Sequence, residues 1–317
     1  EIRLLTPSDF WTIPLPGYGE IRLALPNRRK IAAAIADSAP DFVHVATEGP
    51  IGLAARRACM REGRSFTTSY HTRFPEYVAA RAPVPMRLSY AVLRRFHNAA
   101  AGTMVSSPSL EEVLAGHGFR NLMRWSRGVD ETLFRPRAEN VLAALPRPIF
   151  LFVGRLAVEK NIEAFLEINL PGSKVVVGNG PLQARLTATY PDAHFLGALC
   201  GEALAQIYSS ADVFVFPSLT DTFGIVLLEA LASGVPVAAF PVTGPLDVIG
   251  DSGAGVLAHD LQQAALGALH ISRERCRKHA INFTRKESAG QFFDNVRMAQ
   301  LEQTAPKRRF LRFAKLA

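Results

Sequence analysis

Cysteine is scarce in this chain: Cys59, Cys200 and Cys276 are the only three among 317 residues, and they stand far apart. An odd, widely spaced set gives neither a disulfide framework nor metal-ligand spacing. It points to a reducing compartment, and the chain is expected to be cytoplasmic. Long apolar runs are lacking too. No stretch reaches the roughly 18 to 20 uninterrupted apolar residues of a membrane-spanning helix. Internal repeats and low-complexity tracts are not found, and no glycine-rich turn leads into Gly-Lys-Ser/Thr, which excludes a Walker loop. Helix-turn-helix, zinc and RNA-binding signatures are likewise missing, so the basic character does not point to nucleic acid.

Acidic residues are the other shortage. Asp and Glu number 28 against 36 Lys and Arg, a net charge of +8 that favours an anionic partner such as a membrane surface or a phosphorylated substrate. The 48% hydrophobic and 20% charged residues are those of an ordinary globular protein, long enough for two cores. The chain opens on Glu1 rather than Met and runs straight into the apolar residues 2–5, so it is expected to begin inside a domain.

In the first half, residues 41–46 (DFVHVA), 65–70 (SFTTSY) and 104–107 read as strands, and 49–62 has helical spacing. The pattern lapses around 134–148, where Pro136, Pro146 and Pro148 mark a linker. It then restarts. Strands at 149–153 (IFLFV), 174–177, 194–196, 212–216 (DVFVF) and 235–240 (VPVAAF) are separated by helical segments at 161–168, 182–189, 202–209 and 225–232. Such alternation predicts an α/β protein with doubly wound parallel sheets and ligands beyond the carboxyl ends of the strands. The expected division is a first domain at 1–140, a second at 147–295, and a helix with a basic tail at 296–317 that returns to the first.

Three loops of the second half fall where such a fold places ligands. Gly154 ends a strand and is followed by Arg155 and, five residues on, Lys160. A guanidinium fork and an ammonium suit phosphate oxygens, although a solvated loop with two surface cations has the same sequence. Gly178 and Gly180 in Gly-Asn-Gly-Pro suggest close backbone approach, or an ordinary turn. The third loop, 217–230, runs PSLTDTFGIVLLEA from a strand into a helix and carries Asp221 and Glu229, seven residues between them. Two acids can make a glycosidase pair. Here, however, Thr222-Phe223-Gly224 turns the chain, so Asp221 precedes the helix and Glu229 lies about a turn inside it. Free N–H groups near Phe223, Gly224 and Ile225 would meet an anion or sugar hydroxyls. The plain alternative is a helix capped by Thr220 or Asp221.

The run GRLAVEKN, then GNGP, then TDTFGIVLLEALASGVPV resembles the retaining glycosyltransferases of family 4. The resemblance implies the GT-B fold, two Rossmann-like doubly wound domains facing an interdomain cleft. It implies a nucleoside diphosphate sugar of the GDP-mannose or UDP-glucose type as donor substrate, with no cofactor. Arg155 and Lys160 would then hold the donor pyrophosphate, Glu229 the ribose hydroxyls, and Asp221 with residues 222–225 the donor sugar. It further implies that the two cations take the place a metal holds elsewhere, that transfer is retaining, and that a donor phosphate oxygen takes the acceptor proton. His71, after the strand 65–70, matches a family histidine near the donor sugar; on its own it reads as a structural histidine. Ser126-Arg127-Gly128-Val129-Asp130 resembles the loop before the family's linker, which places Arg127 and Asp130, with Glu48, on the acceptor side. The segments ATEGPIGLAARR and SYHTRFPEYVAAR are most similar to a branch with α-mannosyltransferases and glycolipid glycosyltransferases. Family members begin with a strand and a glycine-rich loop; neither is found here, so the first domain is expected to lack its first strand. The acceptor would be a lipid or another glycan. Residues 83–98 (PVPMRLSYAVLRRFHN) read either as a basic amphipathic helix on the inner membrane surface or as a helix packed on the domain. The tail 307–315 adds a second basic-apolar patch. A nucleotide-sugar-binding protein without full activity is the rival expectation.

Overall fold

The computed structural model describes residues 1–15, 18–79, 84–221 and 223–304. Thr222, the first residue of the helix expected at 83–98, and the basic tail at 307–315 lie outside the described residues.

The chain starts with an antiparallel hairpin that the sequence reading did not anticipate, β1 (Trp11–Leu15) and β2 (Tyr18–Leu25). Helix α1 (Arg28–Ser38) follows, its start capped by the Asn27 side chain. A parallel sheet is then laid down by β3 (His44–Val45), α2 (Pro50–Arg61), β4 (Thr67–Tyr70), α3 (Phe74–Ala79), α4 (Met86–His97), β5 (Gly102–Val105), α5 (Pro108–Gly116) and β6 (Leu122–Arg124). Its four strands lie in the order β3-β4-β5-β6. The strand expected at 104–107 begins and ends two residues earlier, because Ser107 leaves the sheet to cap α5.

The second sheet alternates strictly: β7 (Ile149–Val153), α6 (Glu163–Glu167), β8 (Ser173–Val177), α7 (Gln183–Thr189), β9 (His194–Phe195), α8 (Gly201–Ser210), β10 (Val213–Phe216), α9 (Ile225–Ala232), β11 (Val237–Ala239), α10 (Thr243–Val248), β12 (Gly255–Leu257) and α11 (Leu261–Ala268). The six strands are parallel in the order β12-β11-β10-β7-β8-β9, so consecutive crossovers run outward to either side of β7 and β10. Two apolar layers sandwich this sheet. Leu151, Val175, Phe214 and Val237 pack on one face, and Phe150, Phe152, Val176, Val215 and Ala238 on the other. Strands buried on both faces need apolar residues at every position, which is why IFLFV and VFVF read as unbroken runs rather than alternations.

The stretch around 134–148 is irregular, as its prolines predict, but it is not a free tether. Phe134 and Leu142 are buried in the core of the second sheet. Two connections between the sheets run side by side. Val129 N–H donates to the Phe283 carbonyl at 2.8 Å, and Arg285 N–H to the Val129 carbonyl at 3.1 Å. After α12 (Arg273–Ala280), α13 (Arg285–Thr304) carries the chain back to the first sheet. Trp125 Nε1 donates to the Ser288 carbonyl at 3.0 Å, Ser126 N–H to Gln291 Oε1 at 3.0 Å, and Asn295 Nδ2 to the Arg124 carbonyl at 2.7 Å. The return thus begins well before residue 296.

Gly128 sits at the tightest point of this double crossing. A Cβ there would lie 2.3 Å from the Thr284 carbonyl oxygen and 2.6 Å from Arg285 Cα, both backbone atoms that cannot step aside. Gly128→Ala is expected to cost about 1–3 kcal/mol, the scale of a core overpacking. Urea unfolding of the variant beside the parent checks this; an unchanged midpoint would show that the crossing is loose.

Candidate functional site

The three glycine- and acid-bearing loops of the second half leave the carboxyl ends of β7, β8 and β10. The first two are zipped to one another. Gly154 N–H donates to the Val177 carbonyl at 3.0 Å, Leu156 N–H to that of Asn179 at 2.9 Å, and Leu182 N–H to that of Leu156 at 3.0 Å. A Cβ on Gly178 would lie 1.9 Å from the Gly154 oxygen, and one on Gly180 would lie 2.3 Å from the Leu156 oxygen. The close approach expected of this glycine pair is therefore made by the neighbouring loop of the protein itself.

Lys160 ends a single 3-10 turn and points its ammonium at the third loop. Its Nζ donates to both carboxylate oxygens of Asp221, at 2.6 and 2.8 Å. Around the pair, Ser218 and Thr220 hydroxyls donate to the Glu159 carbonyl at 3.3 and 3.4 Å, and Asn161 Nδ2 to that of Pro217 at 3.1 Å. Thr220 and Asp221 are thereby turned toward the first loop, and neither caps α9. That helix starts after Gly224, at φ +79°, with no side-chain cap. Phe223 is buried and pins the loop, whereas Ile225 is exposed. Behind it stands α10: a Cβ on Gly244 would meet the carbonyl oxygens of Phe223 and Asp221 at 3.0 and 3.2 Å. Glu229 lies one turn into α9, where the Tyr208 hydroxyl donates to its Oε2 at 3.0 Å. Burial raises the Glu229 carboxyl above its usual range, against the lowering effect of Tyr208 and of nearby Arg285.

The facing wall is built on β4, whose Thr67, Thr68 and Ser69 hydroxyls are buried. They hold two histidines. His44 bonds Thr67 through Nδ1 and Ser69 through Nε2, both at 2.9 Å. His97, fully buried, bonds Thr68 through Nδ1 and Glu48 Oε1 through Nε2, again at 2.9 Å. His71 follows β4 and takes a hydrogen bond on Nδ1 from Arg127, which leaves its proton on Nε2. The Arg127 guanidinium lies over the Trp125 ring, 4.5 Å from its centroid. His71, Arg127 and Glu48 thus share one neighbourhood, and Glu48 acts electrostatically on His71. Asp130 is engaged elsewhere: Oδ1 accepts from Thr132 and Leu133 in a turn, and Oδ2 from Arg285 at 2.8 Å.

Helix α10 joins the walls through hydrogen bonds from Arg73 and Ser109. Arg73 Nη2 donates to Thr243 Oγ1 at 3.0 Å, and the Ser109 hydroxyl to Asp247 Oδ1 at 2.7 Å. The sequence reading had singled out none of Arg73, His97, Trp125 and Arg285 for the site. Arg73 stood only two residues past His71, while the other three carry no local motif. Among the described residues, no group of three His, Cys, Asp or Glu is placed to hold a metal ion.

Comparison with known proteins settles the family. Residues 6–133 match the model of Glycosyltransferase Family 4, and residues 147–272 that of Glycosyl transferases group 1. A GDP-mannose-dependent alpha-mannosyltransferase of Mycolicibacterium smegmatis is 35% identical over 83% of this chain and 72% of its own length. The chain belongs to glycosyltransferase family 4. A protein of the same description from Mycobacterium tuberculosis is also 35% identical, over 76% of this chain; the match spans 66% of that relative's length. Sucrose-phosphate synthase from Thermosynechococcus elongatus superposes with a TM-score of 0.73 at 23% identity, covering 87% of this chain and 77% of that one. The fold of this family 4 member is therefore GT-B, as the motifs implied.

Burial pushes His71 down to about 4, helped by the Arg127 charge, and His44 to about 4, helped by His71 and Arg127. Both are neutral in the folded protein at pH 7, whereas in the unfolded chain they gain protons near 6.5. The stability tied to them is whole above about pH 6.5 and is lost progressively as the pH falls towards 4. The thermal midpoint is expected to drop over this interval, and His44→Gln to flatten the fall. A slope untouched by the substitution would contradict the assignment.

Proposed function

We propose that this chain is a retaining, metal-independent hexosyltransferase that moves a mannose- or glucose-type sugar from a nucleoside diphosphate sugar to a hydroxyl of a membrane lipid or glycolipid. The observation that carries the reading is the convergence of Lys160, Asp221 and the uncapped start of α9 at the carboxyl ends of β7 and β10, with Glu229 one turn further in. In this reading Arg155, Lys160 and the N–H groups of residues 223–225 receive the diphosphate and stabilise the charge that develops as it leaves. Asp221 and residue 222 hold the sugar, and Glu229, braced by Tyr208, accepts from the ribose hydroxyls. The acceptor enters from the side of Glu48, His71 and Arg127. Neutral His71, with its proton on Nε2, donates to a hydroxyl near the reacting carbon. The diphosphate departs on the face the acceptor enters, and one of its oxygens takes the acceptor proton. Residues 1–140 serve as the acceptor half and 147–295 as the donor half.

The donor preference is drawn from the relatives described as GDP-mannose-dependent. Thermal shift with GDP-mannose, UDP-glucose and ADP-glucose is expected to stabilise the protein with at least one of the first two. Lys160→Ala and Glu229→Ala should abolish the shift. Transfer to a lipid extract is expected to survive EDTA. Stabilisation without transfer would mark a binding protein, and activity restored only by Mg²⁺ or Mn²⁺ would refute the metal-independent step.

The lipid acceptor rests on α4. Tyr90, Leu93 and Phe96 are buried against the domain, which satisfies the packed reading of this helix. Met86, Leu88 and Val92 are nonetheless exposed, at 47%, 58% and 61%, among Arg87, Arg94 and Arg95. An apolar stripe within basic residues suits the boundary of an anionic bilayer. No helix among the described residues is long and apolar enough to cross a membrane, so the contact would be peripheral, on the inner face. Co-sedimentation with anionic vesicles at low salt is expected, and Leu88→Asp with Val92→Asp should reduce it several-fold. Equal binding by the double variant would remove α4 from the contact.

A further inference from the structure

The ammonium of Lys160 is held by both oxygens of Asp221, with the two side chains 24% and 17% exposed. A carboxylate so placed takes two of the three ammonium protons and cancels the charge on which phosphate binding at this loop depends. The pair is not what holds the loops together. Ser218 and Thr220 on the Glu159 carbonyl, and Asn161 on that of Pro217, clamp the same two segments through backbone oxygens. The carboxylate can therefore leave Lys160 by side-chain rotation while both loops stay in place.

We propose that Asp221 is an internal anion that competes with the donor diphosphate for Lys160 and yields it fully only when a sugar is attached. The proposal rests on the reading of these loops as the donor site. A bare nucleoside diphosphate displaces the carboxylate from Lys160 and leaves it unpaired beside a like charge. A nucleotide sugar displaces it too, but brings hydroxyl groups that donate to the freed oxygens. The site thereby separates the intact donor from the spent nucleotide by more than the sugar's own contacts. Once the sugar has moved to the acceptor, Asp221 loses its hydroxyl partners and returns to Lys160, which drives the product out. One carboxylate serves sugar recognition and product release in turn.

The experiment is isothermal titration of GDP, UDP, GDP-mannose and UDP-glucose into the full chain and into Asp221→Asn, Asp221→Ser and Lys160→Met. Asparagine keeps the shape and removes the charge, and serine guards against a misplaced amide; thermal unfolding confirms that each variant is folded. Asp221→Asn is expected to bind the matching nucleoside diphosphate about fivefold tighter or more, the scale of a coupling between two contacts. Its preference for the nucleotide sugar over the diphosphate should fall by a larger factor. Diphosphate affinity that is unchanged or weaker in both Asp221 variants, while Lys160→Met weakens it, overturns the competition and leaves the donor-site reading intact. Absence of nucleotide binding by the parent chain, or binding indifferent to Lys160→Met, overturns the donor-site reading and the competition with it.

Discussion

Polar side chains gathered for a charged, hydroxyl-rich ligand must first be satisfied by the protein, because a half-buried charge without a partner is costly. That constraint shapes the whole cleft. Lys160 is matched with Asp221, Glu229 with Tyr208, Glu48 with His97, and Arg127 with His71 and the face of Trp125. The Lys160–Asp221 and Arg127–His71 pairs also tie segment to segment, Glu229–Tyr208 ties α9 to α8, and Glu48–His97 ties a loop to α4. A chain that had left these groups bare would have lost stability or shifted their charge states.

The same pairs explain why the two walls differ in character. The wall with Lys160 and Asp221 stands on a sheet whose two faces are sealed by apolar layers, and its loops are clamped by backbone hydrogen bonds. It is a rigid frame carrying a few exchangeable side chains. The opposite wall stands on β4, where buried hydroxyls bond both ring nitrogens of His44, and burial keeps His44 and His71 neutral. Both walls therefore carry ionisable side chains, Lys160 and Asp221 as a pair on one and Arg127 and Glu48 beside the neutral His71 on the other. Helix α10 stands between them, bonded to Arg73 and Ser109 on one side and backing the carbonyls of Asp221 and Phe223 on the other.

Much of this was legible beforehand. The apolar runs of the second sheet, the proline-marked connection and the α9 boundary at Ile225 follow from period and punctuation, because burial on both faces and helix termination are local demands. The hairpin of β1 and β2 is not part of the sequence reading, although all its pairs fall within residues 11–25. At Gly178 and Gly180 the closely approaching atoms are carbonyl oxygens of the adjacent loop, a contact that the local Gly-Asn-Gly-Pro sequence does not specify. Asp130 was placed with the acceptor from its motif, and it is found holding a turn and Arg285.

The sequence by itself determined the alternation of elements and the family, because each depends on side chains close together along the chain. The tertiary structure alone decided which side chains pair. Lys160 meets Asp221 across 61 residues, and Arg127 meets His71 across 56. Which charge neutralises which is a matter of distance in space, and spacing along the chain does not contain it.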